Sequence, residues 1–153
     1  MKVTLVLRNE HEALMSLIDK VKKSLPTRNP NGKKLLRELQ QEIQMHSQVA
    51  SEVFYSALAA SPSDKAVELA STAQKKCQAV DRILQELNGM NPSDRNFQSK
   101  MDALIAEVGR HIELEEEELF QEARKTLPEY RLEELGLEMR DRRKILTMLA
   151  ATA

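Results

Sequence analysis

HIELEEEELF, residues 111–120, sets one histidine ahead of five glutamates packed between positions 113 and 118. Read together with the residues before it, the stretch is helical: Met101, Leu104, Val108, His111, Glu115 and Leu119 recur at three- and four-residue steps and so share one face. Glu113, Glu116 and Glu117 project elsewhere and read as a solvated surface, and Glu118 lies at the edge of the stripe. Glu115 is different. It occupies a position that is apolar in an ordinary amphipathic helix, and an unpaired carboxylate buried there is costly. A cation bound beside it removes that cost.

Three more stripes precede this one. The first carries Leu7, His11, Leu14, Ile18 and Val21, and the second Leu36, Leu39, Ile43, His46, Ala50, Val53 and Ala57. The third carries Ala70, Ala73, Cys77, Val80, Leu84 and Leu87. Turn-forming stretches separate them: PTRNPNG at 26–32, SPSD at 61–64 and NGMNPSD at 88–94. Asp64 is the expected N-cap of the third helix, and Ser93 or Asp94 that of the fourth. Connections this short make successive helices antiparallel.

The expected fold is therefore all-α: an up-down-up-down antiparallel four-helix bundle, its main helices covering about 4–126. An additional short C-terminal helix is expected over about 130–150. Residues 1–153 read as a single domain, a length sufficient to bury a core. In the last segment Leu132, Leu135, Leu137, Met139, Ile145, Met148 and Leu149 are irregularly spaced, which suits packing across the outside or one end of the bundle.

Composition excludes several functions. With 23 basic and 24 acidic residues the net charge is -1, and the basic pairs are scattered, so no footprint for nucleic acid is seen. No apolar run reaches the roughly 18 residues that span a bilayer. The opening MKVTLVLRN is too short in its apolar part to act as a secretory signal. A single cysteine, Cys77, cannot form an internal disulfide, which agrees with a cytoplasmic location.

The three histidines of the chain, His11, His46 and His111, all fall on inward stripes of different helices. His11, His46, Cys77 and His111 follow one another at steps of 35, 31 and 34 residues, each about one helix plus one connection, so an antiparallel bundle brings them to similar height. The candidate metal ligands are His11, His46, His111 and Glu115, with Cys77 as a possible additional ligand. Glu42 and Asp81 stand one turn from His46 and Cys77. Tyr55, near the inner surface of the second helix, is read as a packing residue.

The segments RNEHEALMSLIDKV (8–21), HSQVASEVFYSAL (46–58), KKCQAVDRILQEL (75–87) and HIELEEEELFQEAR (111–124) resemble, in order and spacing, the hemerythrin-like family of HHE cation-binding domains. The tail RLEELGLEMRDRRK (131–144) is similar to that family's closing helix. The resemblance implies a bridged di-iron centre held by histidines from four helices and by two glutamates, each in an H-x3-E pair. His11, His46, His111 and Glu115 match ligand positions. Ala50 stands where the other glutamate is expected, and Cys77 where a histidine is expected.

Three histidines and one carboxylate suffice for a single ion. The expected cofactor is iron, mononuclear or in a partly occupied di-iron site, or zinc; the alternative is no metal. The favoured function is a non-catalytic, metal-binding domain that handles or senses iron, dioxygen or nitric oxide. The competing one is a metal-free degenerate relative serving as an interaction or regulatory module. A ferritin-like redox enzyme ranks below both, because no Glu-x-x-His pattern surrounds His46 or His111. A thiol sensor at Cys77 would need a depressed thiol pKa, which burial opposes.

Overall fold

The computed structural model describes residues 1–25 and 30–152, and all its regular elements are helical. Helix α1 is Val3–Ser24. Helix α2 begins as Pro30–Val49, passes through a π-helical segment, Ala50–Tyr55, and closes with Ser56–Ala59. Helix α3 is Asp64–Asn88. Helix α4 repeats the pattern of α2: Phe97–Leu114, a π segment Glu115–Leu119, then Phe120–Thr126. Pro128 breaks the chain, and α5, Glu129–Thr152, follows. The first four form the expected bundle. The additional C-terminal helix is present as α5, 24 residues long, close to the expected range of about 130–150.

Of the expected loop at 26–32, residues 26–29 lie outside the described residues, and 30–32 already belong to α2. Two expected helix caps are corrected. Ser63, not Asp64, caps α3: its Oγ accepts from Ala66 N at 3.1 Å, while Asp64 sits in the first turn, where a negative charge favours the helix dipole. Helix α4 starts after Asn96 without a side-chain cap, because Asp94 is used in the preceding turn, accepting from Asn91 N at 2.8 Å.

Two apolar clusters fill the bundle. One gathers Leu7, Val49, Phe54, Leu114 and Phe120 with the small residues Ala66, Ala70 and Ala73 of α3. The other gathers Leu14, Ile43, Val80, Leu104 and Val108. Between them, one helical turn on from the apolar residues of each rod, lie His11, His46, Glu115 and His111, all buried. The core is thus two apolar halves separated by a polar layer.

Helix α5 buries Leu132, Leu135 and Met139 in the first cluster and docks along α1. Gly136 makes that approach possible: a Cβ there would collide with the Met1 carbonyl oxygen and press on Val3 N. Its fully buried residues lie in the first half; in the second half Leu146 is only partly buried against the cluster and Ile145, Met148 and Leu149 are exposed, which explains why no single stripe runs its length.

Candidate metal centre

A buried carboxylate organises the layer. Glu115 is 0% exposed, and four groups converge on its Oε1. His46 Nε2 lies 3.1 Å away, the Tyr55 hydroxyl donates at 3.0 Å, His111 Nε2 is in contact, and His11 Nε2 stands at 3.6 Å. The rings are close: the His11 and His46 centroids are 5.1 Å apart and those of His46 and His111 5.6 Å.

The outer nitrogens explain how the rings are held. His11 Nδ1 donates to Glu116 Oε2 at 2.7 Å, and His46 Nδ1 donates to Glu10 Oε1 at 2.8 Å. A carboxylate only accepts, so in both rings Nδ1 carries a proton and Nε2 is turned inward. This carboxylate–imidazole pairing is how proteins orient metal-binding histidines. His111 lacks such a carboxylate; its Nδ1 meets Cys77 Sγ at 4.0 Å.

Two buried atoms in the layer have no hydrogen-bond partner: His11 Nε2 and Glu115 Oε2. Orphaned buried acceptors are costly, and a cation would satisfy both. One ligand atom each from His11, His46 and Glu115 lie within 4.8 Å of one another, a nitrogen-and-oxygen set suited to zinc or iron. The residues present fit a metal ion.

Charges in the layer are strongly coupled. Burial works against a charged His46, yet the Glu115 and Glu10 carboxylates raise it to about 10. His111 is likewise penalised by burial but raised to about 9 by Glu115 and by its contact with Cys77. Burial also opposes ionisation of Glu115, but His111 and His46 hold its carboxyl well below the usual range. Tyr55 is pushed well above the phenol range by burial and by Glu115.

Of the sequence candidates, His11, His46 and Glu115 meet in one group; His111 touches Glu115 but falls outside that 4.8 Å set. Cys77 is buried and faces the outer nitrogen of His111 rather than Glu115. Glu42 turns to Arg143, one oxygen accepting from Nη2 at 2.6 Å. Asp81 borders a polar groove with Gln44, Gln74 and Cys77, and burial pushes its carboxyl up. Glu118 is exposed. Tyr55 does more than pack, since its hydroxyl donates to Glu115.

Sequence reasoning missed Glu10 and Glu116, and it placed Glu116 on the solvated surface. Glu116 is only 29% exposed, because the π segment starting at Glu115 changes the angular step. The π segments of α2 and α4 begin at Ala50 and Glu115, each four residues after a histidine. Such π turns cluster at functional sites. An acid directly before His11 and another directly after Glu115 were the available signals.

The family described as Hemerythrin HHE cation binding domain matches residues 3–123. Among solved structures, the chain is similar to the crystal structure of a Hemerythrin HHE cation binding domain-containing protein from Mycobacterium kansasii. The TM-score is 0.83 at 21% identity, covering 94% of this chain and 86% of that one. That likeness concerns the fold. No curated protein matches.

Proposed function

The chain belongs to the hemerythrin HHE cation-binding domain family, and from that premise we propose that residues 1–153 act as one domain binding a single iron or zinc ion. The ligands in this reading are His11 Nε2, His46 Nε2 and Glu115, with His111 as the fourth and Cys77 supporting the His111 ring. The observation that carries it is the pair of partnerless buried atoms, His11 Nε2 and Glu115 Oε2, in a layer where the outer nitrogens of His11 and His46 are already held by carboxylates. One ion is favoured over two because Ala50, fully buried, offers no donor where the family pattern has a second glutamate.

The role is handling or sensing of dioxygen or nitric oxide in the cytoplasm, without catalysis. Bound iron would supply a coordination position for such a diatomic molecule. Beside His46 and His111 lies a recess of about 10 Å³ walled by Leu14, Ile43, Val80, Val108 and Ile112. That is near the minimum for one water-sized guest, in apolar surroundings. Substituting His11→Ala or Glu115→Gln is expected to abolish stoichiometric uptake of Fe2+ or Zn2+ while the helical circular dichroism persists. Unchanged uptake in both variants would contradict the ligand assignment.

The metal-free alternative has one specific observation behind it. Glu115 Oε1 is already contacted by His46, His111 and Tyr55, so part of the carboxylate's need is met within the chain. Under that reading chelators leave the melting temperature unchanged. Under the metal-binding reading they lower it.

A further inference from the structure

Arg143 lies on α5, beyond the residues that match the family, yet its guanidinium reaches the polar layer. Its Nη2 donates to both oxygens of Glu42 on α2, one of them at 2.6 Å. Its Nη1, buried and without a hydrogen-bond partner, stands 3.9 Å from Glu10 Oε2 on α1, an ion-pair contact rather than a hydrogen bond. The other oxygen of Glu10 accepts from His46 Nδ1, and His46 Nε2 faces Glu115. A charge contact from Arg143 to Glu10, followed by hydrogen bonds from Glu10 to His46 and from His46 to Glu115, therefore links α5 to the layer.

The arrangement has a physical purpose. Glu10 is 12% exposed, and a carboxylate that buried needs a cation or firm hydrogen bonds to stay in place. Glu42 approaches the same guanidinium from the neighbouring helix. Without the guanidinium the two acids lose their shared counter-charge, and Glu10 gains by swinging out to water. His46 would then lose the partner that fixes its proton on Nδ1 and turns Nε2 inward.

We propose that Arg143 is a positioning residue of the metal centre, holding Glu10 against His46 from a helix that contributes no ligand. The proposal rests on the reading of His46 as a ligand. Arg142, one residue earlier on α5, provides an internal contrast. It pairs with Glu52 at 2.6 Å, and Glu52 also accepts from Gln48, so this ion pair leads to no histidine.

The test is Co2+ affinity of the full chain, by chelator competition, with the metal-free melting temperature of each variant measured alongside. Arg143→Met, which keeps the aliphatic stem, is expected to weaken Co2+ binding about tenfold, the lower end of what loss of an orienting partner costs. Arg142→Met is expected to change it less than about twofold, as suits an exposed pair. Arg143→Lys keeps the charge but not the two-oxygen grip, so it should fall between. In an Glu10→Gln background, Arg143→Met should have no further effect, because the residue acts through Glu10.

Wild-type affinity in Arg143→Met, or a full tenfold loss added to that of Glu10→Gln, would overturn the positioning role while leaving the metal reading intact. If Arg143→Met does not fold, Arg143→Lys decides, and an affinity equal to wild type overturns the proposal. Failure of the wild-type chain to bind Co2+ would sink both.

Discussion

Glu115 shows why single residues, more than composition, decide the chemistry here. Its carboxylate is buried between two apolar clusters, and it stays ionised because His46 and His111 are charged beside it. The sign of the resulting pH dependence follows from those imidazoles. Both have folded values, about 10 and about 9, above the ordinary 6.5, so their contribution to stability is complete below about 6.5. It is lost as pH rises through about 9 to 10. Chelator-treated protein should therefore melt at a lower temperature at pH 10 than at pH 7, and Glu115→Gln should flatten this dependence. A melting temperature that rises over the interval would contradict the charged cluster. At this scale the sequence was informative for His11, His46, His111 and Glu115, because each falls on a stripe. Glu10 and Glu116 were hidden, since a residue adjacent to a stripe position projects about 100° away from it in a regular helix.

Among the elements, α2 and α4 are the ones that depart from ideal geometry. Their π segments carry the Tyr55 hydroxyl and the Glu116 carboxylate into the layer. Tyr55 was legible as a residue near the inner surface of the second helix, but not the contact of its hydroxyl with Glu115, which comes from another helix. Boundaries were legible at Gly89 and Pro128, but not at 30–32, where Pro30 and Gly32, read as loop, are already helical. The caps were not, because neighbouring Ser, Asp and Asn residues compete for the same backbone groups, and Ser63 has the added attraction of donating to Glu122 Oε1 at 3.0 Å. Helix α5 offers a test at this scale. Gly136→Ala must displace the Met1 carbonyl or the helix itself, and overpacking of this kind costs about 1–3 kcal/mol. Urea denaturation is expected to show that loss; a variant as stable as the parent would mean that α5 does not dock closely on α1.

The whole molecule is a bundle whose apolar halves specify the fold and whose dividing layer specifies the chemistry. Four-helix architecture was readable from the stripes because Leu, Ile and Val outnumber the polar exceptions on every inward face. The contribution of α5 was not, since half of its apolar residues are exposed and its link to the layer runs through charged side chains. No helix among the described residues is long and apolar enough to cross a membrane. The most direct measurement is elemental analysis of the chain purified without chelator from iron- and zinc-replete cells. With His11, His46, His111 and Glu115 holding one ion, about one equivalent of iron or zinc per chain is expected, falling to near zero in Glu115→Gln. A chain free of both metals, or one whose metal content survives Glu115→Gln unchanged, would contradict it.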